Sequence, residues 1–417
     1  MLSKHLIRRS CTVFVANAML AFYLTVAVVP PADAEGCRGV KVTPGDNIQT
    51  LIERRRQHTT FCFRRGVYEL SRTIWTATKH PTLDLRSGAV IDGQGGDFIG
   101  IDGNDARRGD RGTIILGGVF QNFGNENAPT WLSPFIVRSN WVVKGTEFRR
   151  NFNTGLLVQG DSARVSNVDS HHNGRYGIAV SGPCAGCPAP SNVVIERSEI
   201  AYNNTRQLPP LDDAGGTKFS GGPSGMIVRN NKVHHNYGSG LWWDTRSEDA
   251  RIYGNVIYHN RNWGVFWEGS HGGTKIHHNT LRDNGVGDGT ENWGANVQLL
   301  VSNSDGSVGS GIEIYENRIV GTAIAVGLLN HTEGTPGTTQ VRIHDNTMAL
   351  RAKTARVGGV VVLGGDASLF DRTSRNRFED NTYLVRDRGG TYWMWNGQAL
   401  TWQQWRAIGH DNEGSLR

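Results

Sequence analysis

The sequence has little charge of either sign, because only 20% of its 417 residues are Asp, Glu, Lys or Arg. The 44 basic and 38 acidic side chains leave a formal net charge of +6, and the basic residues form no run longer than three. No basic segment is interleaved with aromatic residues either. A protein that binds nucleic acid usually carries such a basic patch, so this composition argues against that function.

Cysteine is scarce, with five in the chain and four of them after residue 34. An even number in an exported chain predicts disulfides, here Cys37–Cys62 and Cys184–Cys187. Neither a second cysteine pair nor a His-x-x-x-His pair accompanies Cys184 and Cys187, which argues against zinc. A clear acidic triplet is also missing. No metal or cofactor is therefore predicted, and calcium near Asp212 and Asp213 stays open as an alternative.

The N-terminus has the three parts of a secretory signal peptide. Lys4, Arg8 and Arg9 precede an apolar run over residues 11–29, and Ala32-Asp-Ala34 follows as a cleavage site. Cleavage after Ala34 predicts a secreted or periplasmic protein. The apolar run is also long enough for an uncleaved membrane anchor, so that alternative remains open.

The chain contains a repeat with a period of 24 residues. The matched positions are Asn231, Asn255 and Asn279; Asn236, Asn260 and Asn284; Gly240 and Gly264; and Asp244 and Glu268. Self-similarity at a fixed period in this range indicates a solenoid, and the β-branched and aromatic content of each unit indicates strands. Residues one period apart then lie above one another at a spacing of about 4.8 Å. The repeated Asn231, Asn255 and Asn279 are expected to occupy left-handed turns and to form a hydrogen-bonded ladder, and the repeated glycines are expected to form turns.

These coils resemble those of the right-handed parallel β-helix superfamily, the pectate-lyase-like proteins. The resemblance covers roughly residues 40–385 and includes a short helix before the first coil. Gly215-Gly-Thr-Lys-Phe219, Gly240-Leu-Trp-Trp-Asp244 and Gly264-Val-Phe-Trp-Glu268 are similar to segments of a bacterial group of exported β-helix proteins. The superfamily includes lyases, hydrolases, epimerases and non-enzymatic surface proteins, so the resemblance implies the fold without deciding the reaction.

The resemblance and the repeat together predict an all-β chain with a single-stranded right-handed parallel β-helix of about a dozen coils. The expected segments are a signal peptide at 1–34, an N-terminal cap with first strands at 35–87, the β-helix at 88–385 and a Trp-rich C-terminal segment at 386–417. Asp46 is expected to cap a short helix that ends near Arg56 and covers the open end of the core.

Two long insertions interrupt the repeat, Arg206 to Gly225 and residues 285–310. Insertions on one side of a solenoid usually mark its binding face. The Trp-rich segment contains Trp393, Trp395, Trp402 and Trp405. Such a cluster either covers the last coil or offers a platform for sugars, and we favour the structural interpretation.

Strand alternation predicts which side chains face outward after each repeated glycine. If Leu241 and Val265 point into the core, then Trp242, Asp244, Phe266 and Glu268 point outward and share one exposed patch. Lys218 precedes Ile227 by nine residues, while Asp244 and Glu268 precede their matching isoleucines by eight. Lys218 is therefore expected within one residue of the same column, on the preceding coil.

These residue types suit acid–base chemistry. Two carboxylates one strand spacing apart influence each other's protonation, and a lysine beside them can hold an acidic sugar or act as a base. The candidate catalytic residues are Lys218, Asp244 and Glu268. The candidate substrate-binding residues are Trp242, Phe266, Arg246, Asp213 and His271. The alternative is an ion-pair ladder on the surface without a function.

The favoured function is an exported protein that cleaves an acidic or envelope polysaccharide as a lyase, with polysaccharide as the partner and a monomer as the expected state. Elimination needs a base and a positive group, for which Lys218 and Arg246 are candidates. A glycoside hydrolase using Asp244 and Glu268 is the first alternative. A non-catalytic carbohydrate-binding or envelope protein is the second. A cluster of histidines between the Asn columns (His234, His235, His259, His277 and His278) is expected to face solvent.

Overall fold

The computed structural model describes residues 36–76, 79–103, 112–184, 187, 189–209, 214–285, 297–303, 309–321, 324–330, 337–351, 357–359 and 367–417. The segment 1–34, predicted to be a signal peptide, and Asp212 and Asp213 lie outside these residues. Within them the chain winds as a parallel β-helix whose strands form three sheets of 13 strands each. The predicted parallel β-helix is thus confirmed, and each coil contributes one strand to sheet A, then sheet B, then sheet C.

The three sheets are defined by their strands in chain order. Sheet A consists of Val40–Val42, Thr60–Phe63, Thr82–Asp84, Ile114–Leu116, Val142–Lys144, Arg164–Ser166, Val194–Glu196, Ile227–Arg229, Arg251–Tyr253, Lys275–His277, Glu313–Tyr315, Arg342–His344 and Arg377–Glu379. Sheet B consists of Gly66–Glu69, Ala89–Asp92, Val119–Gln121, Glu147–Arg149, Asp169–His171, Glu199–Ala201, Lys232–His234, Val256–Tyr258, Thr280–Arg282, Arg318–Gly321, Thr347–Leu350, Thr382–Leu384 and Ser415–Leu416. Sheet C consists of Ile74–Trp75, Ile101–Asp102, Phe135–Val137, Leu156–Val158, Tyr176–Val180, Gly215–Ser220, Leu241–Asp244, Val265–Glu268, Val297–Ser302, Ile324–Leu329, Val357–Gly359, Trp393–Trp395 and Gln398–Leu400.

The repeated asparagines form ladders, as predicted. Oδ1 of Asn255 accepts hydrogen bonds from the backbone N–H and the side-chain amide of Asn231, at 2.9 and 3.0 Å. Asn255 makes the same pair of bonds to Asn279. The expectation that these asparagines occupy the left-handed turns is wrong. The left-handed residue is the preceding one, such as Asn230 with a φ of 56°.

The role of Gly240 and Gly264 differs from the turn-forming role predicted for them. Each immediately precedes a strand of sheet C, Leu241–Asp244 and Val265–Glu268. A Cβ atom on Gly240 would lie 2.6 Å from the carbonyl oxygen of Gly264 and 2.9 Å from Nδ2 of Asn260. Glycine is therefore required at this position because the corner beside the second Asn ladder has no room for a side chain.

The sheets extend beyond the range 88–385 predicted for the β-helix, from Val40 to Leu416. The coils at both ends differ in length, so they show no fixed period in the sequence. The N-terminal end is covered by helix α1 (Ile48–Glu53), which buries Ile48 and Ile52. Its N-cap is Asn47, whose side chain accepts from the N–H of Thr50. Asp46 instead accepts from Thr43, and the helix ends three residues before Arg56.

The C-terminal end is covered by the Trp-rich segment, which includes helix α2 (Trp402–Ala407). Two 3-10 helices precede it, Ala367–Phe370 and Arg372–Ser374. Trp393 and Trp405 are fully buried. Trp405 packs edge-on against Phe378 of the last complete coil, with ring centroids 5.1 Å apart. This packing agrees with the structural interpretation of the cluster.

Both predicted disulfides are present. Cys37–Cys62 joins the N-terminal segment to the second strand of sheet A, and Cys184–Cys187 closes a short loop. Among the described residues, no helix has the length and apolarity needed to cross a membrane.

The long insertions flank sheet C on both sides. The connections from sheet B into sheet C include residues 202–214 and 283–296, and those from sheet C into sheet A include 181–193, 303–312 and 330–341. The turns from sheet A to sheet B are short, two residues between Arg229 and Lys232. The longest connections therefore precede and follow strands of sheet C, and the outward side chains of this sheet are the candidates for a site.

Candidate functional site

Two columns of outward-facing side chains run along sheet C. One contains Trp242 and Phe266, the other contains Asp244 and Glu268, and the candidate residues lie in both. Asp244 pairs in register with Glu268 on the next strand, as the 24-residue period predicted. On the preceding strand the partner of Asp244 is Ser220, so Lys218 lies two residues earlier, level with Trp242. The expected offset of one residue is wrong because Val228, and not Ile227, matches Ile252. An offset of two keeps Lys218 on the same outward face.

Lys218 is held by an ion pair and by an aromatic ring. Its Nζ lies 2.8 Å from Oδ2 of Asp244 and 3.6 Å from the centroid of the Trp242 ring. The indole N–H of Trp242 in turn donates a 2.8 Å hydrogen bond to Oε2 of Glu268. The three catalytic candidates are thus joined through one tryptophan, and we call Lys218, Trp242, Asp244 and Glu268 the Lys218 network.

The Lys218 network is less exposed than the sequence predicted. Lys218 is 8% exposed, Glu268 6% and Trp242 4%, and Phe266 is fully buried. Asp244 is the most open member, with 22% of its side chain exposed. The expectation of an exposed patch is wrong because a second apolar cluster forms outside sheet C. It consists of Trp242, Trp263, Phe266, Val297, Leu300 and Leu329.

Trp263 explains much of this burial. It lies at the corner before the strand Val265–Glu268, and its ring centroid is 4.2 Å from that of Phe266 and 6.1 Å from that of Trp242. Phe266 also stacks on Trp242 at 5.6 Å. Alternation alone sends these rings outward, and only their packing against one another removes them from solvent.

Two of the remaining predicted substrate-binding residues, Arg246 and His271, follow strands of the Lys218 network. Arg246 is exposed and left-handed, with a φ of 60°, two residues after Asp244. His271 is half-buried and its backbone N–H donates to the carbonyl of Ser247. Asp213 falls outside the described residues. The structure therefore places Arg246 and His271 on the turns that follow the two carboxylate-bearing strands.

A second charged group on sheet C was missed by sequence reasoning. The guanidinium group of Arg138 makes two hydrogen bonds to Asp102, at 2.7 and 2.9 Å, and a third to Oε1 of Gln159 at 3.0 Å. Register places Arg138 level with Gln159 and therefore in the column of Asp244. The separation of 36 positions between Asp102 and Arg138 departs from the 24-residue period, which is why the pair is hidden in the sequence.

The histidines lie on sheets A and B, away from the Lys218 network. His234 does not face solvent as expected. It is buried, with Nε2 2.7 Å from Oε1 of Glu199, and its ring stacks on Tyr258 at 4.6 Å. Burial lowers the pKa of His234 despite the hydrogen bond to Glu199. In the described part of the chain, no group of three or more His, Cys, Asp or Glu is placed to hold a metal ion.

Comparison with known families and structures identifies the fold. The model of a family described as "right handed beta helix region" matches residues 135–305. This match and the three sheets show that the fold of the chain is a right-handed parallel β-helix. Comparison with curated proteins gives no significant match.

Three solved structures illustrate the likeness. The A-module of the mannuronan C-5 epimerase AlgE4 of Azotobacter vinelandii has a TM-score of 0.54 at 13% identity, over 86% of this chain and 89% of its own. The A-module of AlgE6 from the same organism gives 0.53 at 14%, over 86% and 90%. A mannuronic acid-specific family 6 polysaccharide lyase from human gut microbiota gives 0.50 at 11%, over 91% and 90%. At such identities the likeness extends to the β-helix alone.

Proposed function

We propose that this β-helix protein binds an acidic polysaccharide along sheet C and cleaves it by β-elimination at the Lys218 network. The observation that carries the proposal is the 2.8 Å ion pair between Lys218 and Asp244 on the outward face. A structural protein has little use for a buried lysine, because removing its charge from water is costly unless a specific partner compensates. The strands of sheet C are also the ones that the longest connections precede and follow.

The ion pair suggests how Lys218 and Asp244 divide the catalytic roles. An ion pair contains a protonated lysine and an ionised carboxylate, so Asp244 is the partner that can accept a proton. Asp244 is also the more open of the two. In the proposed reaction Asp244 takes the proton from the carbon next to the uronate carboxylate. The electron pair forms a carbon–carbon double bond as the glycosidic oxygen leaves, and a water molecule protonates that oxygen.

Positive charge supports this step. Removal of a proton next to a carboxylate places negative charge on the carboxylate oxygens, and fixed cations stabilise that charge. Lys218 and Arg246 are the proposed cations. Arg246 is exposed on the turn after Asp244, where it can reach a carboxylate that lies outside the sheet.

The three similar structures favour an acidic sugar among the possible substrates. By their names, two act on mannuronan and the third is specific for mannuronic acid. Epimerisation at C-5 and elimination both begin with removal of the proton next to the carboxylate. A uronate-containing polysaccharide is therefore the substrate class we propose for this chain.

Hydrolysis is a second candidate because Asp244 and Glu268 are paired in register on neighbouring strands. Neighbouring strands are about 4.8 Å apart, close to the roughly 5–5.5 Å between the carboxyl groups of retaining glycosidases. In that reaction Asp244 would attack the sugar and Glu268 would protonate the leaving oxygen. The burial of Glu268 and its bond to the indole of Trp242 make this role less accessible.

A panel of acidic and neutral polysaccharides tests the proposal. Unsaturated ends detected by absorbance together with new reducing ends indicate elimination, whereas reducing ends alone indicate hydrolysis. Binding without either product would contradict both reactions and favour a carbohydrate-binding role.

Variants of the two lysine ion pairs provide a matched comparison. Lys218→Met is expected to abolish cleavage, because it removes the cation from the site. Lys232→Met breaks an exposed pair with Glu199 of the same 2.8 Å length on sheet B and should leave cleavage unchanged. Equal activity of the two variants would contradict a role for Lys218.

We also propose that the protein is exported. The disulfides Cys37–Cys62 and Cys184–Cys187 support this location, because disulfides persist in oxidising compartments. Detection of the mature chain outside the cytoplasm of the native host, by cell fractionation, is the test.

A further inference from the structure

A cleft opens at the N-terminal end of the β-helix, between helix α1 and the first strand of sheet C. Its volume is about 540 Å³, and its lining includes Gln49, Glu53, Arg72, Trp75 and Phe98. Glu53 and Arg72 are exposed and carry opposite charges. The cleft therefore combines aromatic surface with polar groups that can donate and accept hydrogen bonds, the combination typical of a small-molecule or sugar site.

Trp75 is exposed in this cleft, although its backbone is held firmly. Its side chain is 39% exposed, while the neighbouring Ile74 is buried in the core. The side-chain amide of Gln49 pairs with the backbone of Trp75: the N–H of Trp75 donates to Oε1 at 2.8 Å, and Nε2 donates to the carbonyl at 3.4 Å. Nε2 also donates to Oε1 of Glu53 at 2.8 Å, which orients that carboxylate. Trp75 is thus an exposed ring on a fixed support.

Register places Trp75 on the same outward face as the Lys218 network. Its partners along sheet C are, in succession, Asp102, Ile136, Leu157, Ala179 and Lys218. Five strand spacings of about 4.8 Å separate Trp75 from Lys218, or roughly 24 Å in all. A polysaccharide that lies along sheet C over the Lys218 network would reach the cleft if it continued toward the N-terminal end.

We propose that the cleft around Trp75 is a distal subsite for the same polysaccharide chain, an inference that rests on the proposed function. A sugar ring stacks on the exposed indole. Glu53 accepts hydrogen bonds from sugar hydroxyls, and Arg72 binds hydroxyls or a uronate carboxylate. The subsite raises the affinity for long chains by adding a second contact to the one at the Lys218 network.

Binding measurements with defined variants test the subsite. Trp75→Ala should weaken the binding of a long uronate polysaccharide by roughly three- to tenfold, the range expected for losing one aromatic contact. Trp75→Phe keeps a ring and should restore most of that affinity. Val67→Ala is the control, because Val67 is an exposed residue of the same coil on sheet B. Circular dichroism and thermal unfolding check that each variant is folded.

Oxidative footprinting of the wild-type protein gives a second test that needs no substitution. Mass spectrometry after mild indole oxidation should show that the long polysaccharide protects Trp75. Part-exposed Trp402, which lies in helix α2 at the opposite end of the β-helix, serves as the internal reference for reagent access.

The outcomes separate this inference from the proposed function. If the wild type binds long polysaccharide and Trp75→Ala binds it equally, with Trp75 oxidised at the same rate in both states, the subsite is wrong and the proposed function stands. If the wild type binds no polysaccharide of the panel, both are wrong. Weaker binding by Trp75→Ala together with protection of Trp75 supports the subsite.

Discussion

The indole N–H of Trp242 donates a 2.8 Å hydrogen bond to Glu268 on the following coil, while the face of the same ring lies 3.6 Å from the ammonium group of Lys218. One aromatic side chain thus contacts a buried carboxylate through its edge and a buried cation through its face. The negative face and positive edge of an aromatic ring suit this arrangement. Trp242 therefore positions both charged groups on the floor of the proposed site.

Trp242→Phe is expected to lower the free energy of unfolding by about 1–3 kcal/mol, because it removes the indole donor of a buried carboxylate. It should also reduce cleavage strongly, since Glu268 and Lys218 lose a fixed position. Urea unfolding and the polysaccharide assay measure the two effects. Trp131→Phe, at an exposed tryptophan, is the control and should change stability by less than about 0.5 kcal/mol. Equal effects of the two variants would contradict this role.

Asn255→Ala should destabilise the fold by more than about 3 kcal/mol, because it leaves several buried polar groups without partners. Asn255 accepts two hydrogen bonds from Asn231 and donates to Asn279 and to the carbonyl of Val228. Asn230→Ala alters an exposed left-handed residue in the same ladder region and should cost only about 1–2 kcal/mol. If chemical unfolding showed similar losses of unfolding free energy for the two variants, the result would be inconsistent with a stabilising Asn ladder.

The folded protein is expected to lose stability in acid because of buried His410. Its ring lies between Trp395 and Trp405, with centroids 4.5 and 4.3 Å away, and its Nδ1 accepts from the N–H of Phe378. Burial lowers the pKa of His410 to about 4. The neutral ring is favoured in the folded state, so its contribution is complete above about pH 6.5 and is lost as the pH falls through about 4.

The expected loss from His410 is at most about 3 kcal/mol between pH 6.5 and 4. Burial raises the pKa of neighbouring Asp411, which accepts from Tyr383 and Trp405, and its contribution has the opposite sign as the pH falls. Urea unfolding of wild type and His410→Phe across this range isolates the histidine, because Asp411 is common to both. A stability difference that does not change with pH would show that His410 does not titrate as described.

Intact-mass analysis of protein from the native host checks the processing. The expected mass corresponds to residues 35–417 with Cys37–Cys62 and Cys184–Cys187 oxidised. Removal of the first disulfide, by Cys62→Ser, should lower the free energy of unfolding by about 3 kcal/mol, because it closes a loop of 25 residues. A mass that retains residues 1–34, or four free thiols, would rule out this processing.

The period in the sequence was sufficient to predict contacts between coils of equal length. Asp244 and Glu268 lie in register, and Trp242 and Phe266 face outward, because strand spacing and side-chain alternation follow directly from a 24-residue repeat. The same reasoning failed by one position at Lys218. The error came from matching Ile227 with Ile252, because the residue that pairs with Ile252 is Val228, and Ser220 and Asp244 show the same 24-residue step.

Other features required the three-dimensional structure. The burial of Trp242 and Phe266 depends on Trp263 and on residues from later coils, whose distance in sequence conceals the contact. The cleft at Trp75 lies between helix α1 and the first strand of sheet C, outside the regular repeats. The pair of Asp102 and Arg138 spans a coil of unusual length. Packing across insertions and ends has no period, and a repeat therefore cannot predict it.

The bonds between Gln49 and Trp75 also affect how the molecule behaves at high concentration. A solenoid with two open sheet edges could lengthen into a filament, as one copy added its last strand to the first strand of another. At the N-terminal edge of sheet C, Gln49 already occupies the N–H and carbonyl of Trp75. At the opposite edge, Gln398–Leu400 runs antiparallel to Trp393–Trp395. An approaching copy would therefore meet occupied groups at one edge and a reversed strand at the other, which opposes end-to-end polymerisation through this sheet.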